Sequence, residues 1–423
     1  MPATDFQPPL LGRISIRSDQ VMSMEGSHEQ ELEDLELFQR RVAESFSDLL
    51  PATGRPESDG EPNGNNSTAS TSRQAQGTES LLSIGWLRKL VDAFLCCEAE
   101  FKASVVMNGD PSPISRPHLD RLMPDLLERS VKLLDICNGI SSGLDNVRQC
   151  QTFAEIVVNA LRAFPIGEGQ VRRARRALSS LLTSLTSEDK DAAAGFTNRS
   201  TERAWSLGKR GSTLHRRSAS GASPPVSFRS FSMTVARNWS AAKQIQAFCA
   251  NLQQPRGGVE STGLACRVYI ISLVMAFAMW ALVAAVPCQE RNGLNIPFQL
   301  SKQLTWAHGM IGLQEKISEE WKKKEKNRTA GLMEEMQKLE RLGYGLVEIF
   351  GGEGSLRYPL DSDREAMVQA LVTEMGDVCR RMDEGLLPLQ QQIREMFHAV
   401  VRSRSEIMEL MEHASGRSLQ LNI

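Results

Sequence analysis

Residues 268–286, VYIISLVMAFAMWALVAAV, form a run of nineteen residues without a single charge. Burying each of the large apolar side chains in this run is worth roughly 1.5–3 kcal/mol, whereas a whole domain is stable by only ~5–15 kcal/mol. The run therefore cannot remain in water. As a helix it is about 30 Å long, which matches the hydrocarbon core of a bilayer. It either spans a membrane or forms the fully buried central helix of a bundle.

Features of the run itself support both interpretations. Ala281 and Ala285 form a small-xxx-small pair that suits a membrane dimer or a crowded core. Trp280 lies in the middle rather than at an interface, which disfavours a span. We expect some form of membrane association, as a single-pass protein or at the cytosolic membrane surface, and a buried bundle helix is the alternative. The residues expected to line a bilayer or a core are Val268, Ile271, Met275, Phe277, Trp280, Leu282 and Val286.

The composition favours helices over sheets. Apolar residues make up 41% of the 423 residues but aromatic residues only 6%, so Leu, Ala and Met must do most of the packing. The net charge of −2 predicts no general affinity for nucleic acid. The eight cysteines form no CxxC pair, which indicates buried, reduced thiols of a cytosolic protein. The opening residues do not read as a secretory signal.

Apolar side chains recur at steps of three and four residues over most of the chain, which predicts an all-α, elongated multi-helix bundle with long near-heptad helices and one very apolar helix. Two stretches rich in Gly, Pro, Ser and Asn interrupt this pattern as disordered linkers. The predicted regions are a disordered arm over 1–26, an amphipathic helix over 27–50, a disordered linker over 51–79, an N-terminal helical region over 80–190, a basic Ser-rich disordered linker over 198–232, and a C-terminal helical region over 233–423 that contains the apolar helix.

Three details of the pattern predict how the helices pack. Gly139 and Gly143 mark a bend or a close crossing in a long helix over 119–164. Pro388 predicts a kink in the last helix. The two long arms over 300–350 and 361–411 carry near-heptad stripes that need a third surface, and we expect the apolar helix to supply it.

Basic residues cluster in two places. One cluster opens the helix predicted over 168–187, where a solvated face is the interpretation that we favour over a binding patch. The other is the segment 199–243, in which nine basic residues face only Glu202, a local charge of +8. Such a segment suits an anionic membrane surface, an acidic protein face or regulation by phosphate. The candidate basic patch is Arg172, Arg173, Arg175, Arg176, Arg216 and Arg217, and the candidate phosphorylation sites are Ser220, Ser223 and Ser232.

The sequence holds no constellation that would carry catalysis. Its six histidines share no metal-type spacing with one another or with cysteine, and neither a phosphate-binding loop nor a nucleophile elbow is present. We therefore predict no catalytic, cofactor-binding or metal-binding residues and no cofactor. Nucleic-acid binding is also disfavoured, because the rest of the chain outside the basic segment 199–243 is acidic.

Several ordered blocks resemble the plant BYPASS-related family, most closely its ROH branch. They lie over nearly the whole chain apart from the two linkers. The blocks are MPATDF (1–6), SIRSDQV (15–21), LSIGWLRKLVDAFLCCEAEF (82–101), KLLDICNGISSGLDNVRQ (132–149), NWSAAKQIQAFCANLQQPRG (238–257), AVPCQ (285–289) and PLQQQIREMFHAVVRSRSEIMELM (388–411).

The resemblance implies a function without an active site. The ROH branch implies binding to a subunit of the exocyst, the complex that tethers secretory vesicles at the plasma membrane. The BYPASS branch implies restraint of a root-derived mobile signal. We expect a non-catalytic protein that binds an exocyst subunit and modulates polarised secretion, and the alternative is a membrane-anchored regulator of that mobile growth signal. The resemblance assigns no partner-binding residues, and the oligomeric state is left open.

Overall fold

The computed structural model describes residues 12–51, 79–106, 119–163, 165–186, 240–250, 252, 254–255, 263–287, 300–325, 331–351, 358 and 360–420. Within these ranges the secondary structure is helical and contains no strand, which confirms the all-α prediction. The helices are α1 (Gly12–Ser47), α2 (Ile84–Val106), α3 (Leu119–Leu161), α4 (Glu168–Thr186), α5 (Ala241–Cys249), α6 (Leu264–Ala285), a short 3₁₀ turn (Thr305–Ala307), α7 (His308–Glu325), α8 (Glu334–Phe350) and α9 (Ser362–Gln420).

The start of the first helix differs from the sequence prediction. Helix α1 begins at Gly12, so residues 12–26 are helical rather than part of a disordered arm. Once packing has fixed the later turns of a helix, extending it costs far less than starting it. Helix α5 begins after Ser240, whose hydroxyl accepts a hydrogen bond from the Lys243 backbone N–H at 3.3 Å. Almost all of the linkers predicted over 51–79 and 198–232 lies outside the described residues.

Helices α2 and α3 form the middle of the bundle. Both pack against α9 on one side and against α6 on the other. Helix α3 runs antiparallel to α9, since Arg148 hydrogen-bonds to Gln390 while Arg404 reaches the Leu127 carbonyl. Helix α2 runs parallel to α9, since Arg88 hydrogen-bonds to Gln392 and Lys102 pairs with Glu406 at 2.8 Å.

Helix α6 is the buried core helix of this structure. The seven side chains expected to line a bilayer or a core are each at most 4% exposed. Helices α1, α2, α3, α5 and α7 surround it, and the Phe46 ring of α1 meets Phe277 edge-on with the ring centroids 5.5 Å apart. By length and hydropathy alone, α6 is the one described helix that could also cross a membrane.

The C-terminal end of α6 is hydrogen-bonded to the chain that precedes α8. The backbone N–H groups of Leu332 and Met333 donate to the carbonyls of Ala284 and Ala285 at 2.9 and 3.0 Å. Helix ends leave such carbonyls without intrahelical partners, and a buried unpaired carbonyl is costly. The connector therefore closes the end of the apolar helix inside the bundle.

Two glycines allow this close packing. Gly331 has a φ of +74°, and a β-carbon there would lie 2.6 Å from the Ala285 carbonyl oxygen. A β-carbon on Gly143 of α3 would lie 2.6 Å from a methyl group of Val286. The predicted close crossing at Gly143 is thus present.

The same junction also holds the beginnings of α2 and α8. The buried Glu335 carboxylate accepts hydrogen bonds from the Ile84 backbone N–H at 3.2 and 3.3 Å, which satisfies an N-terminal donor of α2. The Glu334 N–H donates to the Leu82 carbonyl at 3.3 Å. Burial raises the pKa of Glu335 in spite of its backbone hydrogen bonds. One junction thus ties α2, α6 and α8 together.

Two packing predictions are corrected by the structure. The predicted arm over 300–350 is two helices, because 331–333 leave the helical path to bond to α6. The third surface for α9 comes from α2 and α3, and α6 lies beyond them rather than against α9. Helix α9 itself continues through Pro388.

We expect Gly331→Ala to lower the free energy of unfolding by about 1–3 kcal/mol, because alanine disfavours a positive φ and its methyl group would meet the Ala285 carbonyl. The control is Gly169→Ala in α4, where a β-carbon meets no atom within 4 Å and helix propensity would add up to ~1 kcal/mol. Urea denaturation followed by circular dichroism measures both. Equal urea midpoints for the wild type and Gly331→Ala would show that residue 331 is not packed against the end of α6.

Candidate interaction surface

The structure assembles no catalytic constellation among the residues that it describes. No group of three or more His, Cys, Asp or Glu side chains is placed to hold a metal ion in those ranges. His308, His398 and His413 are exposed and lie on different parts of the bundle. The candidate functional surfaces are therefore the outer faces of the helices.

The described cysteines are mostly buried thiols. Burial raises the pKa of Cys97, Cys137 and Cys379 to about 12 and that of Cys150 to about 11. A thiol with such a pKa is ionised to about one part in a thousand or less at pH 8. These side chains pack the core as protonated thiols.

Three of the four predicted arginines on α4 form a solvent-facing surface. The apolar stripe of α4 packs inward through Val171, Ala174, Leu178, Leu181 and Leu185. Arg172, Arg173 and Arg176 point away from that stripe and are exposed. Arg172 also pairs with Glu168 at 2.6 Å, an exposed i,i+4 pair worth only ~0.3–0.5 kcal/mol. We call these three side chains the arginine face.

Arg175, the fourth arginine of the predicted patch, has a structural role. Its guanidinium donates to the backbone carbonyls of Phe350 and Gly351, with the second distance at 2.8 Å. These carbonyls end α8, where a cation also interacts favourably with the helix dipole. Arg175 is half-buried and binds α8 rather than facing solvent. Arg216, Arg217, Ser220, Ser223 and Ser232 lie outside the described residues.

Two apolar side chains are exposed on α8, the helix that packs against α4. Tyr344 is 49% exposed and Val347 is 43% exposed. Helices α4 and α8 are antiparallel neighbours, since a β-carbon on Gly343 would lie 3.2 Å from Leu182 while Arg175 reaches the end of α8. Val347 follows Gly343 by one turn and so lies near α4. The sequence analysis missed this apolar pair because it lies within the continuous stripe pattern of α8.

Comparison with known proteins gives one consistent result. A family model described as "Protein ROH1-like" matches residues 1–411. Protein ROH1A of Arabidopsis thaliana is 49% identical over 421 residues, which is 98% of this chain and 98% of that protein. Protein ROH1D of Arabidopsis thaliana is 37% identical over 434 residues, 98% of this chain and all of that protein. No solved structure matches the chain.

We expect Arg175→Ala to lower the free energy of unfolding by about 1–2 kcal/mol, because the buried end of α8 loses its donor. Arg173→Ala on the same helix should change it by less than ~0.5 kcal/mol, since that side chain is exposed. Urea titration of both variants measures the difference. A loss of equal size in both would mean that Arg175 does not act through α8.

We also expect iodoacetamide at pH 8 to alkylate Cys96, which is exposed, while Cys97, Cys137, Cys150 and Cys379 react only after unfolding. The reason is that burial keeps these four thiols protonated and out of reach. Peptide mass spectrometry of native and urea-treated samples gives the labelling of each site. Rapid labelling of Cys137 in the native protein would show that α3 is not packed as described.

Proposed function

The chain belongs to the ROH1-like family, and from this premise we propose that it is a non-catalytic interaction protein that binds an exocyst subunit and modulates polarised secretion in plant cells. Two observations support the proposal. The described residues form a helical bundle without a metal site, and the buried Glu335 carboxylate holds the start of α2. The blocks that resemble the ROH branch extend along nearly the whole chain.

The observation that carries the binding step is that α4, which bears the arginine face, packs against α8, which exposes Tyr344 and Val347. Arginine and aromatic side chains supply most of the energy at protein interfaces, where an apolar anchor is surrounded by polar contacts. Here three exposed guanidinium groups lie on α4, and an exposed phenol ring lies on the neighbouring α8. This surface suits an acidic, partly apolar helix face on the partner.

Membrane contact in this proposal is peripheral. Moving α6 into a bilayer would break the hydrogen bonds from Leu332 and Met333 and strip five helices of their common neighbour. The arginine face and the basic segment 199–243 instead attract anionic lipid, with each basic residue worth about 1 kcal/mol near the surface. Phosphate on Ser220, Ser223 or Ser232 would weaken that attraction by adding negative charge.

The second candidate function is a membrane-anchored regulator of a root-derived mobile growth signal. One observation favours it: α6 is 22 residues long and apolar enough to cross a bilayer. This candidate requires α6 to leave the bundle, whereas the first candidate requires it to stay. The two are therefore separated by the location of α6 in cells.

We expect alkaline carbonate to release the full-length protein from plant membranes into the supernatant, because α6 is held within the bundle and the lipid contacts are electrostatic. Immunoblotting of the supernatant and pellet, with protease protection of both ends, measures this. Retention in the pellet with one end shielded from protease would support the anchored alternative and contradict the peripheral one.

For the binding step, we expect Arg172→Glu, Arg173→Glu and Arg176→Glu together to weaken binding to the exocyst subunit by about tenfold, as three rim charges of ~0.5 kcal/mol each would give. Recombinant subunits are tested one at a time against the wild-type chain by biolayer interferometry. The charge-matched control is Lys302→Glu, Lys322→Glu and Lys323→Glu, on exposed sites at α7 and just before it.

These measurements separate two failures. Binding of the wild type to no subunit would overturn the proposed function. If the wild type binds a subunit and both triple variants bind it equally well, the proposed function is supported but the arginine face is not the binding surface.

A further inference from the structure

A groove along the seam between α2 and α9 has no part in the proposed binding surface. Its volume is about 420 Å³. Its walls are apolar and mostly short, with Leu95 and Ala99 on α2 and Ala399 on α9. The side chain of Glu98 also lines it, and Lys102 and Arg402 complete the lining.

Polar bridges join α2 and α9 on both sides of the groove. Towards the start of α2, Gln392 accepts a hydrogen bond from Arg88 at 3.1 Å and donates one to Asp92 at 2.6 Å. Towards the end of α2, Lys102 pairs with Glu406 at 2.8 Å. Between these bridges the Ser403 hydroxyl of α9 donates to the Glu98 carboxylate of α2, and the short alanine side chains leave the seam open beside that contact.

The carboxyl group of Glu98 is buried beside this opening. Its residue is only 4% exposed, and its Oε1 atom has no hydrogen-bond partner among the described residues. The Oε2 atom of Glu406 likewise has no hydrogen-bond partner among the described residues. Burial raises the pKa of Glu98, and the Ser403 hydroxyl, Lys102 and Arg402 offset the rise only in part.

A buried carboxylate without full compensation is costly, and a cation supplied from outside would remove that cost. Apolar walls that lead to a carboxylate complement the side chain of a lysine or arginine, which has an alkyl stem and a charged end. We propose that the α2–α9 groove binds one lysine or arginine side chain of a partner protein, with the stem along Ala99 and Ala399 and the cation at Glu98.

The cations already at the groove do not fill this role. Lys102 is held by Glu406, and Arg402 is exposed at the rim. Arg402 therefore competes with an incoming cation by repulsion and by its attraction to Glu98. A metal ion is disfavoured, because no group of three acidic, His or Cys side chains occurs in the described part of the chain. The proposal applies to any protein partner and does not depend on the exocyst.

The test uses the full-length chain with ¹³C-labelled alanine methyl groups and two small probes, n-butylguanidinium and n-butylammonium. We expect saturable shifts at the methyl groups of Ala99 and Ala399 with both probes. The matched probe n-butanol has the same stem without the charge and should bind at least tenfold more weakly. Glu98→Gln should abolish the saturable shifts, whereas Glu395→Gln, at an exposed carboxylate of α9, should leave them unchanged.

Arg402→Ala provides an independent arm, because it leaves the buried carboxyl group in place if Glu98→Gln destabilises the bundle. We expect it to tighten n-butylguanidinium binding several-fold by removing the competing cation. Unchanged or weaker binding in Arg402→Ala would overturn the proposal, as would equal shifts with n-butanol. Saturable shifts with butyrate that Arg402→Ala abolishes would show an anion site instead, which also overturns it.

Discussion

The structure depends on keeping α6 out of water along its whole length, including its polar end. Side-chain burial alone could be achieved in a bilayer as well as in a bundle. The hydrogen bonds from Leu332 and Met333 to Ala284 and Ala285 make the difference, because they give the carbonyls at this end partners from the same chain. Gly331 and Gly143 then bring the connector and α3 close enough for this contact. The most apolar part of the chain thus fixes where α2, α3 and α8 lie.

The outer layer of the bundle follows from this arrangement. Because α2 and α3 pack against α6 on one side, their other side is available for α9. Helix α9 is 59 residues long. Helix α8 packs against α9, and α4 packs against α3 and α8. Helix α4 exposes the arginine face, and α8 exposes Tyr344 and Val347. The four arginines of α4 have two different roles. Arg175 stabilises the end of α8, whereas its three neighbours remain in solvent, where a partner or a lipid surface could bind them.

Much of the fold could be predicted from the spacing of apolar residues, since a stripe at steps of three and four indicates a helix whatever it packs against. The spans of α3, α4 and α6 are predicted to within a few residues for this reason. The break between α7 and α8 was missed, because Leu332 and Met333 continue the apolar pattern while their N–H groups bond to another helix. The partner of α9 was also predicted wrongly, since a stripe states that a face is buried and not by which neighbour.

The candidate sites could likewise be predicted only in part from the sequence. The arginines of α4 are visible in the sequence as a cluster, yet Arg175 differs from Arg173 only through the end of α8, which lies 175 residues further along the chain. The groove at Glu98 was not predicted at all, because a glutamate in a helical pattern reads as a surface residue. Its burial comes from α9, which packs along α2 and brings Ser403 within hydrogen-bonding distance of Glu98.

By itself the sequence determined that the chain is helical, that residues 268–286 must be buried, and that no catalytic motif is present, because these follow from local side-chain chemistry and periodicity. Only the tertiary structure decided that a bundle can bury that segment, which arginines remain in solvent, and that a carboxyl group lies beside an open groove. Each of these depends on atoms far apart in the chain, and only the packed helices bring their hydrogen bonds and charges within reach of one another.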